Sequence, residues 1–564
     1  MTPDADVVVV GSGAGGAPVA WTLAEAGRRV IVLEKGPWLR EADFTKDEIA
    51  FCRRPTVVPR RHEEPHVVEV REGLGWTAFP TPGTDWDFWN GTLVGGATNV
   101  MSGFFLRMKP DDFRPLSAYG PVPGADVVDW PIGYDDLEPF YARVEREVGV
   151  SGRLRAHRFA EPRSTPEFPF PPTVEHPFAS WIDETGSKLG LSPVPLPRAV
   201  LARPVGTRRG CSYSGYCGSY GCATGAKGSA RVALIDRAVA TGRCEVRAHS
   251  RATRVLTDEA GRATGVTYLD AQGRAQTVTA RAVVVACQAI ETSRLLLLST
   301  GPKHPRGLGN AHDQVGRRIL FSPDGGGSGL FPLAKFDGDR REALLSDATF
   351  VNRTLQDAYV IEDPVLGRRK GGSVDLLLKH SNPIQTAMHA ARSNARPSGA
   401  PLWGRPLKRA IERLFRDVRQ LRFEVFLDWQ PMEGCRVTLD PAVRDKDGLP
   451  VARVRVDSHE WNRQTATWLC RFGARFLEAM GAEGVRWAAN GGPSTNLQAG
   501  GCRFGTDPTT SVLDPACRVH DAGNVFVTDG SFMPTGGSVP YTWTIYANAF
   551  RVATHVLSEV GGRR

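Results

Sequence analysis

The residues with the clearest chemical meaning are the glycines of Gly11-Ser12-Gly13-Ala14-Gly15-Gly16, which match the pattern G-x-G-x-x-G. Gly11, Gly13 and Gly16 let a backbone turn tightly and approach a pyrophosphate, which then meets the amide groups at the start of a helix. Glu34 follows Gly16 by eighteen residues, where a carboxylate would hold ribose hydroxyls. The pattern predicts a dinucleotide site.

A second group consists of three cysteines, Cys211, Cys217 and Cys222, which lie within twelve residues and are separated by glycines. Such thiols can converge on one point, and three thiolates suit an iron–sulfur centre that lacks one iron, or a zinc ion with a fourth ligand from elsewhere. A structural loop, or a disulfide in an oxidising compartment, is the alternative. Most of the other cysteines stand singly in apolar contexts and are expected to be inert buried thiols.

A second glycine-rich stretch runs from Thr84 to Arg107. Its glycines Gly91, Gly95 and Gly96 predict a backbone pressed against a ligand, with the small or polar residues 97–99 lining it. A surface loop is the alternative, but it would not explain the aromatic residues that flank the glycines.

These groups need regular elements to position them. Continuous apolar runs, typical of strands buried on both faces of a parallel sheet, occur at Val7–Val10, Val30–Leu33, Ala282–Ala286 and Val525–Val527. Helices are predicted at about residues 17–26, 135–148, 178–189, 230–240, 290–299, 460–480 and 544–560. Residues 244–286 predict short strands, with turns at 259–261 and 271–273.

The composition shifts between about Phe321 and Arg463. Residues 374–378, 423–427 and 436–439 predict strands of a separate antiparallel sheet. Met388–Lys408 is a polar, proline-containing insertion, which is expected either to move or to cover a site.

Length and composition limit the functional classes. The chain has 564 residues, of which 41% are hydrophobic and 23% charged, and these values are typical of an ordinary globular protein of two domains or one two-lobed unit. The net charge is +9, but the basic residues are dispersed, so no nucleic-acid site is expected. No apolar run is long enough for a membrane span. The first strand begins near residue 6, which leaves no room for a leader, so a cytoplasmic location is expected unless a partner subunit carries the export signal.

Taken together, these blocks resemble the glucose–methanol–choline (GMC) oxidoreductase family over essentially the whole chain. The matching segments are the N-terminal unit, Gly91–Thr98, Ala282–Ser299, Gly500–Pro508 and Asn524–Ser531. Asp129-Trp130-Pro131-Ile132 and the cysteine cluster make the chain most similar to the gluconate- and sugar-dehydrogenase branch. The resemblance implies an α/β fold, in which a Rossmann-like FAD-binding domain carries an α+β substrate domain built on an antiparallel sheet.

The implied domain organisation alternates between the two parts. The FAD-binding domain is expected at residues 1–150, 244–320 and 491–564. The substrate domain is expected at 321–490, and residues 151–243 form an excursion of it that carries the cysteine-rich loop.

The resemblance also implies how FAD is held. The expected contacts come from Gly11, Gly13, Gly16, Glu34, Lys35, Gly95, Gly96, Thr98, Asn99, Ala252, Asp529, Gly530, Tyr541 and Thr542. Some relatives tether FAD through a histidine just after the Gly-Gly loop. This chain has no histidine between His66 and His157, so the FAD is expected to be noncovalent.

The family's reaction is the oxidation of an alcohol, which loses a proton to a base while its carbon gives hydride to flavin N5. The usual base is a histidine, but Leu497 stands at that position here. Asn496, Gln498 and Tyr541 are therefore expected to position a substrate whose base lies elsewhere, such as His380 or Glu424. His380 is equally well explained as a structural histidine at a strand end. A one-residue error of register, or the loss of alcohol oxidation, would also account for the missing histidine.

The expected function is an FAD-dependent oxidation of a hydroxyl group of a sugar, glycoside or polyol. The alternatives are a redox-neutral, lyase-like flavoprotein and a flavin-binding subunit without turnover, because the usual histidine is absent. Oxygen, a quinone or a cytochrome is the expected electron acceptor. Some sugar dehydrogenases of the family carry a three-iron cluster in a cysteine-rich segment, but the x5 and x4 spacings here depart from the tighter pattern associated with them.

Overall fold

The computed structural model describes residues 2–52, 56–84, 86, 88–393, 400, 402–494 and 496–561. The strands are β1 (Ala5–Val10), β2 (Val30–Leu33), β3 (Val67–Glu72), β4 (Gly75–Pro80), β5 (Val194–Pro195), β6 (Cys244–Arg247), β7 (Arg251–Thr257), β8 (Ala263–Leu269), β9 (Ala275–Val285), β10 (Arg317–Leu320), β11 (Pro323–Pro332), β12 (Arg353–Leu355), β13 (Val360–Asp363), β14 (Gly367–Lys370), β15 (Gly372–Leu378), β16 (Val418–Leu427), β17 (Arg436–Arg444), β18 (Pro450–Val456), β19 (Glu483–Pro493), β20 (Ala499–Gly501), β21 (Arg518–Val519) and β22 (Ala522–Val527).

The α-helices are α1 (Gly16–Glu25), α2 (Pro115–Tyr119), α3 (Tyr134–Val144), α4 (Phe178–Lys188), α5 (Asp236–Ala240), α6 (Ala289–Leu298), α7 (Gly338–Leu345), α8 (Pro383–Ser393), α9 (Gly404–Arg416), α10 (Glu460–Ala479) and α11 (Thr542–Gly561). Two predicted helices include a π-helical turn, at Glu145–Gly149 after α3 and at Arg231–Ile235 before α5. Among the described helices, none is both long enough and apolar enough to cross a bilayer.

A parallel sheet organises the N-terminal unit. Its strand order is β21-β22-β9-β1-β2-β6, and all neighbouring pairs except β21 with β22 are parallel. The side chains of β1, β2 and the end of β9 are almost entirely buried, as their unbroken apolar runs predict. The predicted strand–turn–helix–strand unit is therefore confirmed, and with it the Rossmann-like part of the fold.

An antiparallel sheet forms the second layer, with the strand order β19-β11-β16-β15-β12-β5. One face packs on α10, where Leu421, Phe423 and Val425 of β16 share a core with Ala466 and Leu469. Alternate residues of β16 point to the opposite face, because side chains alternate along a strand. The sheet therefore has an apolar face against α10 and a more polar face on the opposite side, which carries Arg422 and Glu424.

The predicted strand at 436–439 is real, but its assignment to this antiparallel sheet is wrong. It is part of β17, which lies in a third sheet with the order β20-β10-β17-β18-β3-β4. The alternation of apolar and polar residues predicts a strand but does not identify the strands that pair with it. Here β17 pairs with β10 and β18.

The predicted polar insertion at Met388–Lys408 is partly helical. It holds the end of α8 and the start of α9, whereas residues 394–399 and 401 lie outside the described part of the chain. Leu407, Ile411 and Leu414 are half-buried on one side of α9, and this spacing is typical of a surface helix.

Candidate functional site

One long cavity, here called the main cavity, brings together residues that are far apart in sequence. Its empty volume is about 1720 Å³ with the open mouth included. The predicted site residues that line it are Gly11, Gly13, Glu34, Lys35, Gly96, Thr98, Ala252, Asn496, Gln498, Asp529, Gly530, Tyr541 and Thr542. Gly16, Gly95, Asn99 and His380 do not line it.

The first glycine turn shapes one wall of the main cavity. Gly11 has a φ of +98°, and a Cβ on it would lie 2.2 Å from the carbonyl oxygen of Ala286. A Cβ on Gly16 would lie 1.9 Å from the carbonyl oxygen of Gly11, so Gly16 is needed for the packing of α1 on β1. The first turn of α1 carries no acidic residue, which suits an anion at this helix end.

Ser12 connects the first glycine turn to Glu34 and to the second glycine stretch. Its hydroxyl donates to Oε2 of Glu34 at 2.6 Å and accepts from the amide of Gly95 at 2.9 Å. Glu34 also accepts from the amide of Gly36, but burial raises the pKa of its carboxyl above the ordinary value. Sequence reasoning missed Ser12, although it is the first variable residue of the glycine pattern.

The second glycine stretch closes over the first. The side-chain amide of Asn99 donates to the carbonyl oxygens of Val94 and Gly96, and the Thr98 hydroxyl donates to the carbonyl of Gly95. Gly95 has a φ of +92°, and a Cβ there would lie 2.8 Å from Asn99. Asn99 and Gly95 therefore hold the loop, while Gly96 and Thr98 form its inner surface.

The C-terminal segment supplies a buried carboxyl. Asp529 accepts from the amide of Ser531, from the hydroxyl of Thr292 and from the amide of Gln288. Burial raises its pKa in spite of these bonds. Gln288, which sequence reasoning missed, has a φ of +80°. Its side-chain amide donates to Oε1 of Gln498 at 2.5 Å.

Tyr541 lines one end of the main cavity, here called the inner end, and is almost fully buried. Its hydroxyl donates to the carbonyl oxygen of Leu497. Nearby, Asp428 accepts from the amides of Gly536 and Gly537 and forms an ion pair with buried Lys370 at 2.7 Å. Burial, and then the charge of Asp428, raise the pKa of Tyr541 well above its ordinary value, so this hydroxyl is a poor proton acceptor.

Charged side chains surround the opposite end of the main cavity, near Ala252. Lys35 pairs with Glu64 at 2.6 Å, and Arg294 pairs with Asp445. Arg251 lines the cavity as well and pairs with Asp445. Sequence reasoning identified Lys35 here but missed Arg251 and Arg294, because their place depends on the distant loop that carries Asp445.

His380 is the predicted catalytic residue that lies elsewhere. Its ring packs on the cysteine-rich loop, where a Cβ on Gly218 would lie 2.4 Å from Nε2. Burial, and then the charges of Lys227 and Arg198, lower its pKa to about 3. A histidine in this state takes no proton near neutral pH, which favours a structural role for His380.

The three predicted metal ligands line a small separate pocket. Burial raises the pKa of Cys211 to about 11. The pKa of Cys222 is lowered, because the charge of Lys227 and two hydrogen-bonded neighbours outweigh its burial. Among the described residues, no group of three or more His, Cys, Asp or Glu side chains is arranged to hold a metal ion, and the thiols are free. The iron–sulfur centre stays a prediction.

A second cavity, here called the sheet cavity, lies over the more polar face of the antiparallel sheet. It is lined by Arg422 and Glu424 of β16 and by Arg486 of β19. Asn496 lines both this cavity and the main cavity, so the two adjoin. Of the two bases suggested by the sequence, Glu424 lines the sheet cavity and His380 lines neither.

A buried carboxyl stands beside Glu424. Asp375 of β15 pairs directly with Glu424 across the strands and is fully buried. Its pKa is raised to about 7, first by burial and then by the charge of Glu424, against the opposing effects of the Thr354 and Ser373 hydroxyls and of Arg198.

Replacing Asp375 with asparagine is expected to remove a pH dependence of stability. Because the folded-state pKa is raised, the folded protein binds more protons than the unfolded chain between about pH 4 and pH 7, and the free energy of unfolding falls as the pH rises through this window. D375N should gain up to about 4 kcal/mol relative to wild type between pH 4 and pH 8. Urea unfolding at both pH values measures this gain. Exposed Asp347→Asn is the control, and equal pH profiles for wild type and D375N would contradict the prediction.

Comparisons with known proteins agree with the geometry. Two GMC oxidoreductase family models match residues 197–323 and 431–549, and an FAD binding domain model matches 6–77. The chain is 31% identical to paromamine 6'-oxidase of Streptomyces fradiae over 563 residues, which are 99% of this chain and 92% of that protein. It is 26% identical to the fructose dehydrogenase large subunit of Gluconobacter japonicus over 578 residues, with 99% of each chain covered.

A solved structure shares the fold. Pyridoxine 4-oxidase from Mesorbium loti superimposes with a TM-score of 0.58 at 17% identity, covering 98% of this chain and 99% of that one. The backbone turns at Gly11 and Gly96 and the acid-free start of α1 fit a dinucleotide, and the main cavity extends from them to Tyr541. The chain therefore belongs to the GMC oxidoreductase family, in its sugar-dehydrogenase-like branch, and is an FAD-dependent oxidoreductase.

Proposed function

We propose that this protein oxidises a CH–OH group of a sugar, glycoside or polyol, and that Glu424 accepts the hydroxyl proton. The observation that carries the proposal is that Asn496 lines both cavities, which places the carboxylate-bearing sheet cavity directly beside the main cavity. When bound, FAD supplies the hydride acceptor. The activities that give the relatives their names, on paromamine and on fructose, support the substrate class.

In this proposal, Gln498 and Tyr541 position the substrate and Glu424 accepts the proton. Gln498 is held by Gln288, and Tyr541 is held at Leu497, so both offer polar atoms with little freedom at the inner end of the main cavity. Neither group takes a proton at neutral pH, since an amide has no basic site and the pKa of Tyr541 is raised. Glu424 is the carboxylate of the adjoining cavity, and a carboxylate is a common general base.

Anaerobic mixing with alcohols, sugars and polyols tests the function. Bleaching of the oxidised flavin band, together with a carbonyl product, is the expected result. A product formed without bleaching would instead favour redox-neutral chemistry, and FAD binding with neither response would favour a flavin-binding subunit.

We propose oxygen, a quinone or a cytochrome as the electron acceptor. The rate at which each of these acceptors reoxidises the substrate-reduced enzyme distinguishes among them. Oxygen consumption during turnover identifies an oxidase. We also propose a cytoplasmic location, which fractionation of the source cells tests.

A further inference from the structure

The sheet cavity holds two arginines on one row of the antiparallel sheet. Arg486 of β19 pairs directly with Ser328 of β11, and Ser328 pairs directly with Arg422 of β16. Directly paired residues point to the same face of a sheet, and neighbouring strands lie about 4.8 Å apart. The two guanidinium groups therefore rise from the same face, two strands apart, and their long side chains can reach one ligand.

The next row leaves room for that ligand. Ala488 pairs with Gly326, and Gly326 pairs with Glu424. Two of these three residues carry almost no side chain, so the floor between the arginines and the carboxylate is hollow.

Among the described residues that line the sheet cavity, the charged side chains are Arg422, Arg486 and Glu424. Over the described residues, neither Arg422 nor Arg486 forms an ion pair with a carboxylate, although both line the cavity; Arg422 is half-buried and Arg486 is exposed. Elsewhere in the same sheet, buried Arg353 pairs with both Glu175 and Asp183. The half-buried guanidinium of Arg422 therefore loses part of its hydration free energy without gaining a charged partner among the described residues, and a bound anion would offset this loss.

We propose that the substrate is a sugar acid, whose carboxylate binds Arg422 and Arg486 while one of its hydroxyl groups faces Glu424. This inference rests on the proposed function and names its substrate class. Two guanidinium groups and one carboxylate leave a formal charge of +1 in the cavity, which a monovalent carboxylate neutralises. The fork of a guanidinium matches the two oxygens of a carboxylate.

The test compares acidic, neutral and basic sugars on the holoenzyme. D-glucuronate and D-gluconate are set against D-glucose, sorbitol and D-glucosamine, with anaerobic flavin bleaching for turnover and calorimetry for binding. The acids should bind at least about 10-fold more tightly than the neutral compounds, and glucosamine should bind most weakly. Added salt should weaken the binding of the acids alone.

Arg422→Gln and Arg486→Gln should each raise the Kd of the acids about 10- to 100-fold and leave the Kd of the neutral sugars unchanged. Arg419→Gln is the matched control, because Arg419 lies on the same strand and does not line the cavity. Equal affinity for glucuronate and glucose, or unchanged acid binding in both cavity variants, would overturn the inference. Bleaching by neutral sugars would then still support the proposed function. If no compound bleaches the flavin, the proposed function fails, and calorimetry alone still decides whether the cavity selects acids.

Discussion

Glu424→Gln is expected to reduce the rate of flavin reduction by about 10²- to 10⁴-fold, the range typical for the loss of a general base. Glutamine keeps the size and the hydrogen-bonding oxygen of the side chain, but it cannot take a proton. Because substrate binding does not require the proton transfer, the KM should change much less than kcat. Stopped-flow measurement under anaerobic conditions separates flavin reduction from the later reaction with the acceptor.

The pH dependence distinguishes a base from a group that only binds substrate. If Glu424 accepts the hydroxyl proton, the pH profile of kcat/KM should differ between wild type and E424Q. The variant should become faster at high pH, where hydroxide replaces the missing base. Exposed Glu362→Gln is the control and should leave the rate unchanged. A wild-type rate of flavin reduction in E424Q would mean that the proton leaves by another route.

The local parts of this fold could be predicted because their signals are short-range. The buried runs of β1 and β2 lie next to each other in sequence, and the glycine turn between them leaves few alternatives. The apolar spacing of α10 predicts its length to within one residue. Glu34 could be identified as a candidate for the same reason, since it directly follows β2.

The parts that could not be predicted depend on strand partners. The sheet cavity exists because β16 pairs with β11 and β11 pairs with β19, and no local pattern records these pairings. Arg422 and Arg486 are sixty-four residues apart, and the sequence gives no sign that they share a row. His380 shows the same limit, because its pKa of about 3 results from burial and from the charges of Lys227 and Arg198, which lie far from it in sequence.

Leu497, which stands where relatives carry the catalytic histidine, has an unusual backbone conformation. Leu497 has a φ of +57°, in the left-handed region that non-glycine residues seldom occupy, and its carbonyl oxygen accepts from Tyr541. Its side chain is half-buried against the main core. An apolar residue here cannot take a proton, so any base must come from another element. The sheet cavity offers such a base in Glu424, on the antiparallel sheet.

Gly16→Ala is expected to abolish FAD binding, so that the purified protein is colourless. The added Cβ would lie 1.9 Å from the carbonyl oxygen of Gly11 and 3.0 Å from a methyl group of Val9. Since both neighbours belong to the β1–α1 unit, the helix must shift away from the strand, and the cofactor turn is lost. We expect a destabilisation of about 3 kcal/mol, the upper end of the range typical of overpacking, because the close contact is with backbone.

Two other glycines separate the packing effect from the ligand contact. A Cβ on Gly13 would meet only the Cα of Gly96, at 3.9 Å, so Gly13→Ala should keep the melting temperature of the FAD-free protein and weaken FAD binding by crowding the main cavity. A Cβ on Gly523 would meet nothing within 4 Å, and Gly523→Ala should match wild type in both respects. The ratio of flavin to protein absorbance and thermal unfolding measure the two effects. The prediction is contradicted if G16A binds a full complement of FAD and has the melting temperature of wild type. In that case α1 tolerates a methyl group next to the carbonyl oxygen of Gly11, and the turn at residues 11–16 is not closely packed.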